Sequence, residues 1–224
     1  MKNNSVTLWG KVSDFIPANE IERQQNLVRF YLEVERLSGV IDLLTVHAQK
    51  RLIDVLKLQP DDYIRLEGEI RTVDLTVTEN DITRNRVLVY VYAENIDLLD
   101  GPENIPSDNN IFEGEGNICK LQPVRRTASG RLITDAILSV HRRGAKYDFI
   151  PLIFWGSDAV LMDKMDVGTT ISIKGRFQSR AYYSTRRERY EIAYEVSVFN
   201  LTIKEPEEVE SAIDSEETAE QQSA

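Results

Sequence analysis

The chain has 224 residues, 42% of them hydrophobic and 29% charged, a balance that excludes wholesale disorder and fibrous repeats and leaves room for one or two compact domains. A single cysteine, Cys119, cannot form an internal disulfide, and the two histidines, His47 and His141, form no metal-spaced cluster, so disulfide scaffolds and zinc modules are excluded and neither metal nor cofactor is expected. The longest uncharged apolar stretch, 149–157, is about half of the ~18 residues a membrane-spanning helix needs, and the first ten residues lack the apolar core of a secretory signal; a cytoplasmic location is expected.

The formal net charge of -10 is unevenly distributed. Residues 1–100 carry a net -5, residues 116–203 a net +6, and residues 204–224 a net -7 without an aromatic side chain. The last segment has the composition of a disordered acidic tail attached to a locally basic body. Such a tail competes weakly for a basic surface and keeps the protein soluble, or serves as a solubilising end alone.

Strand-like segments lead the chain. Leu8 to Val12, Val28 to Val34, Ile41 to Leu44 and Asp62 to Arg71 alternate apolar and polar residues, the period of a half-buried strand, and Gln49 to Leu58 supplies one short helix. The polar segment 100–110, with Gly101, Pro102 and Pro106, reads as a linker. The pattern then repeats in Glu115 to Ile118, Ile133 to Val140, Tyr147 to Ile150 and Val167 to Phe177, with a helix over Ser157 to Met165 that Ser157 is placed to cap and whose Leu161, Met162 and Met165 share one side. The separation from Gly10 to Asp42 is 32 residues, as is that from Gly116 to Asp148, and Asp42 to Gly68 matches Asp148 to Gly175 at 26 against 27. Five strands with a helix between the third and fourth, in about 90 residues, predict an oligonucleotide/oligosaccharide-binding (OB) barrel. The expected fold is therefore all-β with one short helix per unit: a first OB barrel over 1–100, a linker over 101–110, a second OB barrel over 111–203 and an acidic tail over 204–224. Gly68 and Gly175 fit positions where a small barrel bends a strand sharply.

No phosphate-binding loop, nucleophile elbow or nucleophile–histidine pair is present, and Asp135 and Asp148 stand alone between strand residues, where satisfying backbone groups or pairing with arginine is their expected role. No enzymatic activity is expected. The second unit instead concentrates cations and aromatics, the two ingredients of single-strand binding: cations neutralise phosphates and aromatic faces stack on unpaired bases at ~1 to 3 kcal/mol each. Arg125, Arg126, Thr127 and Arg131 lie on the first hairpin and second strand; Arg142, Arg143 and Lys146 lie between the second and third strands. Arg176, Gln178, Arg180, Tyr182, Tyr183, Arg186, Arg187, Arg189 and Tyr190 interleave along one strand, a long polar hairpin over 178–190 and the next strand.

In this segment the chain resembles the bacterial single-stranded DNA-binding proteins. The resemblance covers 111–203 and rests on LQPVRRTASGR (Leu121 to Arg131), DFIPLIFWG (Asp148 to Gly156), VGTTISIKGRFQSRAY (Val167 to Tyr182) and YEV (Tyr194 to Val196). It implies base-stacking roles for Phe149, Trp155 and Tyr182 and phosphate contacts from Arg126, Arg176 and Arg180, with barrel core as the alternative for Phe149 and Trp155. It further implies an OB barrel binding single-stranded DNA in replication, recombination or repair, in association with the nucleoid. Because family members commonly form tetramers of single barrels, two barrels per chain imply a homodimer. The family's acidic tip with an apolar end, which docks partner enzymes, is absent here, where the chain closes Glu220-Gln221-Gln222-Ser223-Ala224. Replication or repair proteins are left as possible partners through the acidic tail.

The first unit matches less well. It keeps Trp9, Phe30, Tyr31 and Tyr63, but Leu43 stands where Phe149 does, and its hairpin over 73–86 has two cations against three acids. Weak binding or a role in assembly is expected of it. Two other readings remain open on sequence: a protein-interaction module organising a replication or conjugation complex, and an RNA-binding module.

Overall fold

The computed structural model describes residues 2–204 apart from 80, 81, 143, 145, 186 and 187, and the side chains of all these but 76–79 and 82–86. The first unit runs β1 (Asn4–Ile16), α1 (Glu20–Gln24), β2 (Leu27–Glu35), β3 (Ile41–Gln49), α2 (Lys50–Leu56), β4 (Tyr63–Glu79) and β5 (Ile82–Leu99). The second runs β6 (Asn110–Leu121), β7 (Arg125–Arg126), β8 (Leu132–Arg142), β9 (Lys146–Trp155), α3 (Gly156–Met162), β10 (Thr170–Ser184) and β11 (Arg189–Lys204). Between them a 3-10 turn at Pro102–Asn104 occupies the linker. The all-β expectation, two OB barrels with a helix between the third and fourth main strands of each, agrees with this order. The expected acidic tail lies outside the described residues, Lys204 excepted.

Each barrel closes on itself, through β1–β2 in the first and β6–β8 in the second, and each contains one parallel contact, β3 with β5 and β9 with β11. Alternation builds the interior: Val6, Leu8, Phe30, Leu32, Leu44, Ile64 and Leu66 fill one barrel, and Phe112, Ile118, Leu138, Ile150, Phe154 and Phe177 the other. The ladder of β4 and β5 shifts register at Glu67/Gly68, and that of β10 and β11 at Lys174/Gly175, so the two glycines mark bulges that turn the strands around the barrels. A Cβ on Gly10 would lie 2.2 Å from the carbonyl oxygen of Glu33, and one on Gly116 the same distance from that of Ser139. The first strand of each unit therefore needs glycine where it crosses the second.

The two barrels share one sheet. β1 pairs antiparallel with β6, from Asn4 opposite Gly114 to Leu8 opposite Asn110, giving eleven strands in continuous order. Asn4 and Asn110 sit at equivalent places on this seam. The buried Asn110 side chain donates to the carbonyl of Phe177 at 2.6 Å and accepts from its N–H at 2.9 Å, while Asn4 does the same with Ile70 at 2.7 and 3.0 Å. Each amide replaces a missing backbone partner on the hairpin strand of its own barrel.

A second pair of contacts ties each barrel to the other. Asp42 on β3, 1% exposed, accepts from Arg36 Nε and Nη2 at 2.7 and 2.6 Å and, from the second barrel, from the Ser179 N–H at 2.7 Å and its hydroxyl at 3.1 Å. Asp148 on β9, equally buried, accepts from the Thr72 N–H of the first barrel at 2.8 Å and from Arg71 Nη1 at 2.9 Å, with Arg142 Nη1 3.7 Å away. The hydroxyls complete the symmetry: Leu43 N–H donates to Ser179 Oγ and Phe149 N–H to Thr72 Oγ1. Asp148 thus satisfies a backbone group and pairs with arginine, as expected of an isolated strand carboxylate.

Three local expectations need correction. α3 begins at Gly156 with Trp155 at its N-cap and no side-chain cap bond, because the positive φ of Gly156 turns the chain directly from β9 into the helix before Ser157 can cap it. Within this helical segment Met162 is buried and Met165 packs against the core, but Leu161 is 40% exposed. The segment 178–190 is mostly ladder, since β10 and β11 pair as far as Ser184 opposite Arg189. The chain also holds α1, capped by a reciprocal Asn19/Glu22 box whose Asn-x-x-Glu pattern was available in the sequence.

The asparagine fork yields a test. Asn110→Ala leaves a buried N–H and C=O on β10 unpaired, and about 2–3 kcal/mol of unfolding free energy should be lost in urea melts followed by circular dichroism. A loss below about 0.5 kcal/mol would show that the fork does not hold β10.

Candidate nucleic-acid interface

In a strand, alternate residues point to opposite faces, and the second barrel uses this to display one chemistry outward. Along β9, Asp148, Ile150, Leu152 and Phe154 are buried, whereas Phe149 is 42% exposed and Trp155 is partly exposed. The aromatics Phe149 and Trp155 therefore stand on the outer face and are not barrel core. Trp155 is held in place by its indole N–H, which donates to Ser197 Oγ on β11 at 3.0 Å. On β10, Phe177 points inward and Arg176, Gln178, Arg180 and Tyr182 alternate with it. In the sheet order β10-β11-β9-β8-β7 these side chains stand on β10 and β9, with β11 between them.

An open groove of about 490 Å3 crosses this face. It brings together five of the residues singled out by sequence, Arg125, Thr127, Trp155, Gln178 and Arg180, over a floor of Ile133 and Ile153. Two neighbouring carboxylates set the cations: Arg125 pairs with Asp135 at 2.5 Å, and Arg180 lies 3.5 Å from the buried Glu195, which also accepts from Gln178 at 3.3 Å. The Arg125 and Asp135 side chains are 52% and 35% exposed, and exposed pairs contribute about 0–1 kcal/mol, so a phosphate can replace that carboxylate at small cost, whereas Arg180, 54% exposed, faces a carboxylate that is itself buried.

The other described candidates lie elsewhere on the second barrel. Arg126 donates to the Gly130 carbonyl within the β7–β8 turn, where Arg131 is also exposed. Arg180 lies 5.9 Å over the Tyr182 ring, whose hydroxyl donates to Glu191. Further along the hairpin Tyr183 and Tyr190 meet edge to face at 5.3 Å, with Tyr190 77% exposed and Arg189 beside Glu191. Lys146 is exposed at the start of β9, whereas Arg142 is partly buried against Asp148 in the contact between barrels. Arg143, Arg186 and Arg187 lie outside the described residues. The groove also contains residues that sequence reading missed: Glu195, and from the first barrel Arg36 and Val40. The only signal for Arg36 was its matching distance, relative to Arg142, from the repeated aspartates.

The first barrel has a groove in the equivalent place, of about 630 Å3, but its chemistry differs. By strand register Gln49 stands for Trp155, Val73 for Arg180, His47 for Ile153 and Tyr90 for Glu195. α1 lies where the β7–β8 turn lies in the second barrel, and Tyr190, Ile192 and Tyr194 of the second barrel form one wall. His47 is 4% exposed and stacks on Tyr90 at 4.0 Å, with Nε2 3.6 Å from Glu22. Burial lowers its pKa to about 4, partly opposed by Glu22 and reinforced by Arg29. Among the described residues no group of histidine, cysteine and carboxylate side chains is placed to hold a metal, and no helix is long and apolar enough to cross a membrane.

No protein-family model matches the chain, and no curated protein matches it in sequence. Solved structures do match. The wild-type single-stranded DNA binding protein from Thermus aquaticus aligns with a TM-score of 0.66 at 18% identity, covering 91% of this chain and 93% of that one. A deletion mutant of the same protein aligns with a TM-score of 0.65 over 92% and 97% of the two chains. The likeness spans both barrels and shows that the tandem arrangement of this chain is the fold of that protein.

The buried histidine has a pH consequence. With its folded pKa below the ordinary 6.5, the unfolded chain binds the proton first, so stability is complete above about pH 6.5 and falls as pH drops toward 4. In paired urea melts, His47→Gln should reduce the loss between about pH 6.5 and 4 by up to roughly 3 kcal/mol relative to the unsubstituted protein. Equal pH dependence in the two proteins would contradict the assignment.

Proposed function

We propose that this protein binds single-stranded DNA without sequence preference and protects it during replication, recombination or repair. The observation that carries the reading is the groove of the second barrel, where Trp155 and the exposed Arg125 and Arg180 face one open channel on an OB sheet. The strand runs along this face with bases stacked on Trp155, Phe149 and Tyr182 and phosphates met by Arg125, Arg126, Arg176 and Arg180. Stacking is sequence-tolerant because every base has a π-face, and cation contacts to phosphate contain no base information. The exposed Tyr183, Arg189 and Tyr190 of the hairpin, with Arg131 and Lys146, offer further contacts to a strand that continues beyond the groove. The Thermus protein of the same fold is itself a single-stranded DNA binding protein, which supports DNA as the ligand. Assembly as a homodimer presenting four barrels, and recruitment of replication or repair proteins by the acidic tail, belong to the same proposal.

Tryptophan fluorescence titrated with a long oligo-dT at two salt concentrations tests it. Quenching by single strands, little response to the matched duplex and affinity falling with salt are expected; absence of binding to any single strand would overturn the reading, and a strong preference for matched RNA in competition would replace DNA as the ligand. Two substitutions separate the contacts. Arg180→Ala should lower the slope of log affinity against log salt by roughly one contact, whereas Tyr182→Ala should weaken binding about 5- to 100-fold with the slope nearly unchanged.

A further inference from the structure

The groove is assembled from both barrels. Arg36 and Val40, at the β2–β3 turn of the first barrel, line it alongside Trp155 and Arg180 of the second. Arg36 is also chemically committed. Its guanidinium grips Asp42 through two hydrogen bonds, which raise its pKa above the ordinary arginine value against the opposing effect of burial, and its Nη2 donates to the Ser179 carbonyl at 2.9 Å. Asp42 in turn accepts from the N–H and hydroxyl of Ser179, and Leu43 N–H donates to that hydroxyl. Four hydrogen bonds between barrels consequently fall on Ser179, through its N–H, its carbonyl and its hydroxyl.

Ser179 stands between Gln178 and Arg180, both of which face the groove. We propose that Arg36 and Asp42 of the first barrel are positioning residues for strand binding by the second: they fix the backbone of β10 at Ser179 and so set where Gln178 and Arg180 meet the strand, and Arg36 adds its own positive charge to the channel wall. The inference rests on the proposed function and gives the first barrel a part in binding that needs no strand contact in its own groove. It also makes an unusual electrostatic prediction. Removing the Asp42 charge brings the channel closer to positive, which by charge alone strengthens a polyanion complex; loss of positioning weakens it.

The experiment uses the full chain and a fluorescein-labelled oligo-dT followed by anisotropy over a salt series. Asp42→Asn should weaken binding by about tenfold with no decrease in salt slope, and Arg36→Ala should weaken it similarly while lowering the slope by up to roughly one. Should Asp42→Asn fail to fold, Ser179→Ala carries the test, since it removes only a hydroxyl from a partly exposed residue; a loss of about three- to fivefold is expected. Arg51→Ala, which removes an exposed first-barrel cation on α2, should keep wild-type affinity. Wild-type or tighter binding by folded Asp42→Asn, together with wild-type binding by Ser179→Ala, overturns the positioning role while leaving the function standing. Failure of the unsubstituted protein to bind dT overturns the function itself.

Discussion

Two buried aspartates organise this molecule. A carboxylate at 1% exposure is unfavourable unless its lone pairs are met, and removing a partner from such a site typically costs about 3–5 kcal/mol. Asp42 and Asp148 are each met partly by arginine from their own barrel and partly by a backbone N–H from the other. Neither barrel can satisfy its aspartate alone. The β1–β6 ladder joins the two sheets, and the aspartates then tie the hairpin strand of one barrel to the third strand of the other.

Within that frame the duplicated unit is used for two different surfaces. The same strand positions hold Trp155 and Arg180 in the second barrel and Gln49 and Val73 in the first. The interior positions hardly differ in character, because both must fill a small barrel with Leu, Ile, Val and Phe. Outward positions are free of that constraint, and there the copies diverge. The second presents cations and aromatics to solvent. The first folds a short helix over its face and buries a neutral histidine against a tyrosine.

Charge acts at two levels in the structure. In the contact between barrels the paired carboxylates are buried and hydrogen-bonded on several sides, which suits them to hold geometry. On the outer face the pair of Arg125 with Asp135 leaves both groups substantially exposed, which suits the arginine to exchange partners, and Arg180 beside the buried Glu195 keeps half of its side chain open to solvent. The overall net charge of -10 says little about either, since the second barrel is locally basic.

Much of the fold was legible in the sequence because a small barrel imposes a strict period. Alternation along each strand and the equal 32-residue spacing from Gly10 to Asp42 and from Gly116 to Asp148 were sufficient to find two OB barrels. Composition also located the candidate site on the second unit, since cations and tyrosines cluster there within short stretches. The helix start at Gly156 was not legible, because a glycine with positive φ can end a strand as readily as begin a helix. Nor was the role of Arg142 and Arg36. Arg142 read as a strand-binding cation and Arg36 carried no signal of its own, because their place is set where the third strand of one barrel meets the hairpin of the other, a meeting that joins residues as far apart as Asp42 and Ser179. Local sequence determined the barrels and their outward chemistry, because period and composition act over a few residues. The tertiary structure alone decided which arginines are tied to the contact between barrels, because that depends on where each buried carboxylate finds its partners.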